Sequence, residues 1–334
     1  MRITFDYFRN NIDGMILDVP VAPSLGVPNN RIAKNVGSMR NIGLEFGVEA
    51  GIIKTDNFNW NVNANLTLQK SLVTALPSNN ADIVGGSSTD ININPNIIIR
   101  KDESPNSLFG YQYWGVNSAN GNPVYVKADG SLVQGNIATQ SYVAFDPANP
   151  ADISKASSLA LSDRKILGNT LPTYFGGFNS TMTYKNLDLV FLVRFSGGNK
   201  VFNSTRRDLL NQDLNNNSTE ILGRWQSASN PGDGVTPRLW AARGNFINLA
   251  SAASTRFVEN GDFISLDNIS LGYSLSKNLT DRLKLEKFRV YIQAQNLFII
   301  TDYKGINPEM ETFGVDLNGT PRAKVFSMGI NVNL

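Results

Sequence analysis

The sequence contains no cysteine and no histidine. Without cysteine there are no disulfides, no thiolate metal ligands and no thiol nucleophile. Without histidine the commonest general base and metal ligand is missing too. Both absences argue against an enzyme and leave paired carboxylates as the remaining route. Charge is not in excess of one sign either: 30 Lys and Arg stand against 28 Asp and Glu, so composition gives no signal for nucleic acid. No window approaches the roughly 18 consecutive apolar residues of a membrane helix. That leaves a membrane β-barrel open, because a polar interior keeps the mean hydropathy of such a chain low. Nor does the chain open on an export signal. Met1 is followed by RITFDYFRN, already an alternating pattern, where a leader would be basic and then apolar. The chain is therefore cytoplasmic or, as we expect, a fragment of a longer exported protein.

What the 334 residues do contain is asparagine and alternation. Their number fits two or three soluble domains or one large all-β unit. Asparagine is poor in helices and suits turns and a wet strand face. At the C-terminus, Phe326, Met328, Ile330, Val332 and Leu334 alternate with Val325, Ser327, Gly329, Asn331 and Asn333. A period of two gives a strand with one apolar face. Such a strand fits the edge of a sandwich over a soluble core, or the closing strand of an outer-membrane barrel.

Repetition favours the barrel. Ile42, Leu44, Phe46, Val48, Ala50 and Ile52 face one way, with Gly43, Glu45, Gly47, Glu49 and Gly51 opposite. Lys54 to Asn57 supplies turn residues. Then Phe58, Trp60, Val62, Ala64, Leu66 and Leu68 alternate with Asn59, Asn61, Asn63, Asn65, Thr67 and Gln69. Each strand runs about 11 residues, enough for a tilted membrane crossing, whereas a sandwich strand is nearer 5 or 6. Phe58 and Trp60 sit at the end of the apolar band, as interfacial aromatics do.

Similar alternation occurs at 2–9, 178–195, 269–275 and 288–295. The connections alternate in length: long at 18–38, short at 54–57, very long at 72–173, short at 185–186, long at 199–254, shorter at 276–287, long at 301–321. Short turns on one rim and long loops on the other mark outer-membrane barrels. The expected fold class is thus all-β: an antiparallel transmembrane barrel fragment of about eight strands, ten if Leu108 to Val116 also spans. The excursions 72–173, 199–254 and 301–321 are expected to be extracellular, with helix around 206–210 and 219–225. On this register Glu45, Glu49, Asn61, Asn63 and Gln293 face the lumen, and Phe46, Val48, Val62, Ile292 and Ile330 face lipid.

Four segments carry a family resemblance: NVGSMRNIGLEFGVEAG from Asn35, ILGNTLPTYFGGFNSTMTYKNLDLVFLVRFSGGNKVFN from Ile166, ENGDFISLDNISLGYSLS from Glu259 and FRVYIQAQNLFIITDYKGINPE from Phe288. In this order they resemble the C-terminal third of SusC/RagA-type TonB-linked outer-membrane transporters, over essentially the whole chain. The resemblance implies a 22-stranded barrel in the outer membrane of a Gram-negative bacterium. It also implies an N-terminal plug and TonB box lying outside this sequence, and a SusD-like surface lipoprotein. The cargo implied is glycans or peptides. The alternative is a soluble all-β carbohydrate-binding or adhesin module. Many relatives carry an acidic DxNxDG run before LGN. Here there is only Leu161-Ser162-Asp163-Arg164, and neither metal nor cofactor is expected.

The remaining chemical candidates are weaker. Glu45 and Glu49 lie about 13 Å apart on one strand, too far for a glycosidase pair. Asp129-Gly130 and Asp233-Gly234 read as turns. The glycines around Gly85 lack the strand-then-helix setting of a phosphate loop. Arg206-Arg207 reads as a solvated helix face. Tyr111, Tyr113 and Trp114 are candidate ligand-contact aromatics that could stack on a sugar face, or else they form the core of their excursion.

Overall fold

The computed structural model describes the chain apart from residues 36, 86–95, 137, 138, 140, 211–215, 240–252 and 310–313. Eight long strands form one antiparallel sheet in which every neighbour in space is also the next long strand in sequence. We label them β1 (Arg2–Asp13), β2 (Ser38–Lys54), β3 (Phe58–Ala75), β4 (Tyr174–Tyr184), β5 (Leu187–Gly197), β6 (Phe263–Ser274), β7 (Lys287–Ile300) and β8 (Val325–Asn333). The order matches the expected eight-strand meander. Its short connections, 55–57, 185–186 and the helical 275–286, all lie at one end. The long ones lie at the other.

Period two dictates which side chains share a face. Across β2, β3, β4, β5, β6 and β7 one row reads Val48, Ala64, Phe178, Val193, Leu266 and Phe298. The neighbouring row reads Glu49, Asn63, Asn179, Leu192, Asn268 and Gln295. Aromatic pairs lock the apolar face: Phe5 with Phe46 at 5.1 Å and Phe178 with Phe191 at 6.0 Å between ring centroids. Near the short turns, Trp60 Nε1 donates to Ser180 Oγ at 3.0 Å, so a buried hydroxyl and an indole N–H satisfy each other.

Among the described residues nothing covers this face. Phe326 is 71 % exposed and Met328 86 %. The buried apolar residues cluster chiefly in the excursions. Leu108, Phe202, Leu210, Ala253 and Phe257 form one core. Tyr111, Tyr125, Val133 and Leu159 form a second, and Val73, Leu76 and Ile83 a third. Short strands frame these cores: a four-stranded sheet containing Ser107–Gly110 and Lys165–Asn169, a four-stranded meander from Gln112–Val116 to Ser141–Ala144, and a three-stranded sheet of Lys200–Asn203, Val258–Asn260 and Val315–Asp316.

Three local details go beyond what the sequence settles. Leu108 to Val116 does not span. It breaks at Tyr111 into Ser107–Gly110 and Gln112–Val116, which belong to different sheets, because Tyr111 bridges to Ser254 instead of continuing either ladder. The 18–38 connection contains a hairpin, Ile16–Pro20 with Arg31–Asn35. The 276–287 connection contains a helix, Lys277–Leu283. The helical expectations near 206 and 219 correspond to Ser204–Leu209 and a 3-10 turn at Thr219–Gly223. Gly86 to Ser88 lies outside the described residues.

Candidate functional site

The sheet's polar face carries two charge clusters, each built across several strands. Near the short-turn end, Arg289 of β7 reaches over β6 to Asp188 of β5, with Nε to Oδ1 at 2.9 Å and Nη2 to Oδ2 at 2.5 Å. The bidentate geometry fixes the orientation of the guanidinium. Gly272 makes the reach possible, since a Cβ there would overlap the guanidinium.

The second cluster sits at the long-loop end. Arg194 of β5 donates from Nε to Asp267 Oδ2 at 2.7 Å and from Nη2 to Glu309 Oε2 at 3.2 Å, and its Nη1 pairs with Glu309 Oε1. Arg322 pairs with Glu309 and lies 3.9 Å from Asp267. Asp267 is held by Ser265 Oγ at 2.5 Å and sits where β6 shifts register against both neighbours, a bulge that re-aims a side chain. Two cations and two anions therefore tie the 301–324 connection to the barrel wall. In the sequence this site shows only through Arg194, which alternates with the apolar Val193 and Phe195 of its strand. Its partners come from distant segments, so spacing does not expose them.

A cavity of about 570 Å³ opens beside this cluster, lined among others by Asn65, Gln69, Phe175, Gly177, Arg194 and Glu309. A second, of about 580 Å³, lies between the 204–209 helix and the 304–320 segment and shares Glu309.

The proposed lumen-facing residues share the polar face. Asn63 Nδ2 lies 3.4 Å from Glu49 Oε1, Gln293 Nε2 donates to Asn268 Oδ1 at 3.1 Å, Glu45 pairs in register with Asp6 and Thr67, and Asn61 with Gly51 and Thr181. Phe46, Val48, Val62, Ile292 and Ile330 share the opposite face. The aromatic trio does not form one platform. Tyr111 is 1 % exposed in the second core, and Tyr113 donates its hydroxyl to the Val235 carbonyl at 2.8 Å. Tyr113 is half-buried, and Trp114 is the exposed member of the trio, at 49 % exposure, packed on Phe145 at 5.3 Å.

Arg206-Arg207 is not a solvated face. Arg206 donates to both Glu220 oxygens at 2.9 and 2.5 Å, to Glu259 at 3.2 Å and to the Arg256 carbonyl at 2.9 Å. Arg207 is buried as well, its guanidinium 5.9 Å from the Phe202 ring centroid. The short helix is packed by chain from both later segments, which a local sequence window does not reveal. The Arg206 guanidinium holds the Glu220 carboxyl below its ordinary range. Burial, with Asp316 at 2.5 Å, pushes the Tyr303 phenol up. Asp163 accepts backbone N–H groups from Ala128 and Ala160 at 3.0 and 2.7 Å, which occupies the carboxylate nearest the LGN motif. Asp129 and Asp233 accept from the N–H two residues on, at 2.9 and 2.8 Å, as turn residues do.

No family model matches the chain. Curated relatives do. It is 26% identical to TonB-dependent receptor P3 of Formosa agariphila, which covers 99% of this chain and 32% of the relative. It is 29% identical to TonB-dependent receptor SusC of Bacteroides thetaiotaomicron, over 98% of this chain and 29% of the relative. Among solved structures, that of the RagAB peptide transporter superposes with a TM-score of 0.78 at 23% identity, over 99% of this chain and 33% of that one. The RagAB peptide importer in its open-open state gives 0.75. The chain thus spans about a third of the length of the proteins it matches. These relatives are receptors and transporters, not enzymes. The chain is thus similar in sequence to TonB-dependent receptors, SusC among them, and in fold to the RagAB peptide transporter.

Proposed function

We propose that this chain forms part of the wall of an outer-membrane active transporter that imports glycans or peptides. A SusD-like surface lipoprotein serves as lid, and TonB supplies energy through residues outside this sequence. The observation that carries the proposal is the uncovered apolar face of an eight-strand meander whose connections alternate short and long. In water such a face would drive aggregation. In a bilayer it meets acyl chains, while the polar row of Glu45, Glu49, Asn61, Asn63 and Gln293 lines the lumen. The outer edges of β1 and β8, unpaired among the described residues, then join further strands of a larger barrel, 22 in all. The excursions 72–173, 199–254 and 301–321 face the cell exterior, where ligand and lid arrive.

The receptor that contains this chain is the test object. It should require detergent or lipid to refold and migrate heat-modifiably in gels. The lid lipoprotein should crosslink to probes in the long loops and not to probes in the Lys54–Asn57 turn. Refolding in plain buffer would make it a soluble module. Crosslinking at the turn would invert the topology.

A further inference from the structure

Phe175 is a large aromatic side chain on the polar face of the sheet, at the long-loop end of β4, and it is 39 % exposed. Its surroundings follow from register. It lies opposite Thr67 of β3, which makes Asn65 and Gln69 its diagonal neighbours on that strand. On β5 it lies opposite Ser196, with Arg194 as the diagonal neighbour. Diagonal partners in a sheet are about 7–8 Å apart, within reach of aromatic and long side chains. The ring is thus ringed by amides and one guanidinium, and all of them line the cavity of about 570 Å³.

The two amides are left complementary by their own hydrogen bonds. Asn65, which lines the cavity, accepts the Gly177 N–H on its carbonyl at 2.9 Å, so its NH₂ remains a donor. Gln69 gives its NH₂ to the Pro172 carbonyl at 3.1 Å, so its carbonyl remains an acceptor. Gly177 leaves space beside the ring. A Cβ built there meets nothing closer than the Val193 carbonyl at 3.6 Å.

We infer that this cavity is a subsite for a neutral oligosaccharide, with Phe175 as the stacking platform for one pyranose ring. The inference deepens the import reading above and rests on it. The C–H groups on one face of a pyranose present a slightly positive apolar surface, which suits the negative face of an aromatic ring. Its hydroxyls each donate and accept, matching the Asn65 donor and the Gln69 acceptor. A peptide fits less well. Its termini want free opposite charges, yet the charged side chains that line this cavity among the described residues, Arg194 and Glu309, are paired with each other and with Asp267 and Arg322. Peptide capture by strand addition needs an open edge, and β3, β4 and β5 have both edges occupied.

The test uses the full receptor in detergent. It is incubated with maltohexaose, cellohexaose, laminarihexaose, mannohexaose and xylohexaose, and with a tryptic digest of casein. Retained material is identified by mass spectrometry and affinity measured by calorimetry. At least one hexasaccharide should be retained. Its affinity should fall about tenfold in Phe175→Ala, the scale of one aromatic contact. It should fall at least as far in Gly177→Leu, which fills the cavity, and survive in Phe175→Trp. Retention of no hexasaccharide, retention of peptides alone, or saccharide affinity unchanged in both damaging variants would overturn the subsite and leave the importer standing. If Phe175→Ala lowers the melting temperature while saccharide affinity is unchanged, the ring is covered by the receptor's own interior, which also overturns it. Gel migration of the wild-type receptor is followed in parallel. Loss of heat-modifiable behaviour there would remove the barrel reading and the subsite with it.

Discussion

The eight-stranded sheet and the excursions between its strands follow opposite rules of burial. In the sheet, large apolar side chains such as Phe326, Met328 and Ile292 are exposed, and charged pairs such as Arg289–Asp188 sit on the opposite, polar face. In the excursions Phe202, Phe257 and Tyr125 are enclosed, while the turn carboxylate Asp129 is exposed to water. Both regions come from one chain of ordinary composition, so amino-acid content does not separate them. What differs is the solvent each region is built for. The sheet satisfies its backbone through ladders and can present apolar side chains to hydrocarbon. The excursions assemble small cores of the water-soluble kind from strands of only two to five residues.

The largest expected effect follows from the edges of the sheet. Deleting β8 removes the ladder partner of β7 and bares its N–H and C=O groups within the hydrocarbon, where each unsatisfied group costs several kcal/mol. The receptor without Val325 to Leu334 should fail to assemble in membranes altogether, as read by loss of heat-modifiable migration and by protease sensitivity. The excursions, which do not use β8 in their cores, should not rescue it. A truncated receptor that still resisted denaturation in gels would break the contrast between the two regions at its root.

The sheet was largely legible in the sequence because its information is local. Ile42 to Ile52 and Phe58 to Leu68 show their faces within a single window, and the Lys185-Asn186 turn marks a reversal directly. Even so, β2 and β3 extend to Lys54 and Ala75, past the clean alternation. The excursions were legible only as interruptions. A strand such as Val258–Asn260 is too short to display a period, and its partner Lys200–Asn203 lies far earlier in the chain, Phe202 opposite Val258 and Lys200 opposite Asn260. The same holds for the candidate site. Arg194 could be placed on the polar face, but its carboxylates come from β6 and from the following connection. Phe175 was hidden for a different reason: an aromatic residue on the polar face breaks the alternation on which the reading relied.

The next effect belongs to the excursions. Arg206 holds Glu220, Glu259 and the Arg256 carbonyl together around the first core, and the side chains of Arg206 and Glu259 are only 11% and 12% exposed. Removing one partner of a buried pair leaves an uncompensated charge and costs about 3–5 kcal/mol. Arg206→Ala should open this region to hydrogen exchange while the β4–β5 ladder stays protected. The pair also carries a pH signature. The Glu220 carboxyl is held below its ordinary value of 4.5, so its contribution is complete above that pH and is lost as acid brings the folded form to protonation. Protection around Arg256 to Glu259, measured against the intrinsic exchange rate at each pH, should therefore fall in the wild type as pH drops below 4.5, and this acid dependence should be weaker in Arg206→Ala. Equal opening of the sheet and the excursion would mean that the two regions are one cooperative unit.

The smallest effect tests the sheet's own facing. Val48 and Glu49 are adjacent near the middle of β2, yet Val48 aligns with Ala64 and Ile3 on the apolar face and Glu49 with Asn63 and Arg2 on the polar one. An arginine on the lipid face near the bilayer midplane costs about 2–4 kcal/mol, whereas substitutions in the lumen mainly tune what passes. Val48→Arg in the receptor should lower the yield of folding into bilayers, and Glu49→Arg should leave assembly near normal while changing uptake. A soluble sandwich would also suffer from Val48→Arg, so the substitution alone does not identify the solvent. Quenchers do. A fluorophore at position 48 should be quenched by spin-labelled acyl chains, and one at 49 by iodide in the lumen. The reverse pattern would shift the register by one residue and exchange every face of the sheet. Quenching by acyl chains at neither position would place the apolar face against protein, and the opposition between sheet and excursions would disappear.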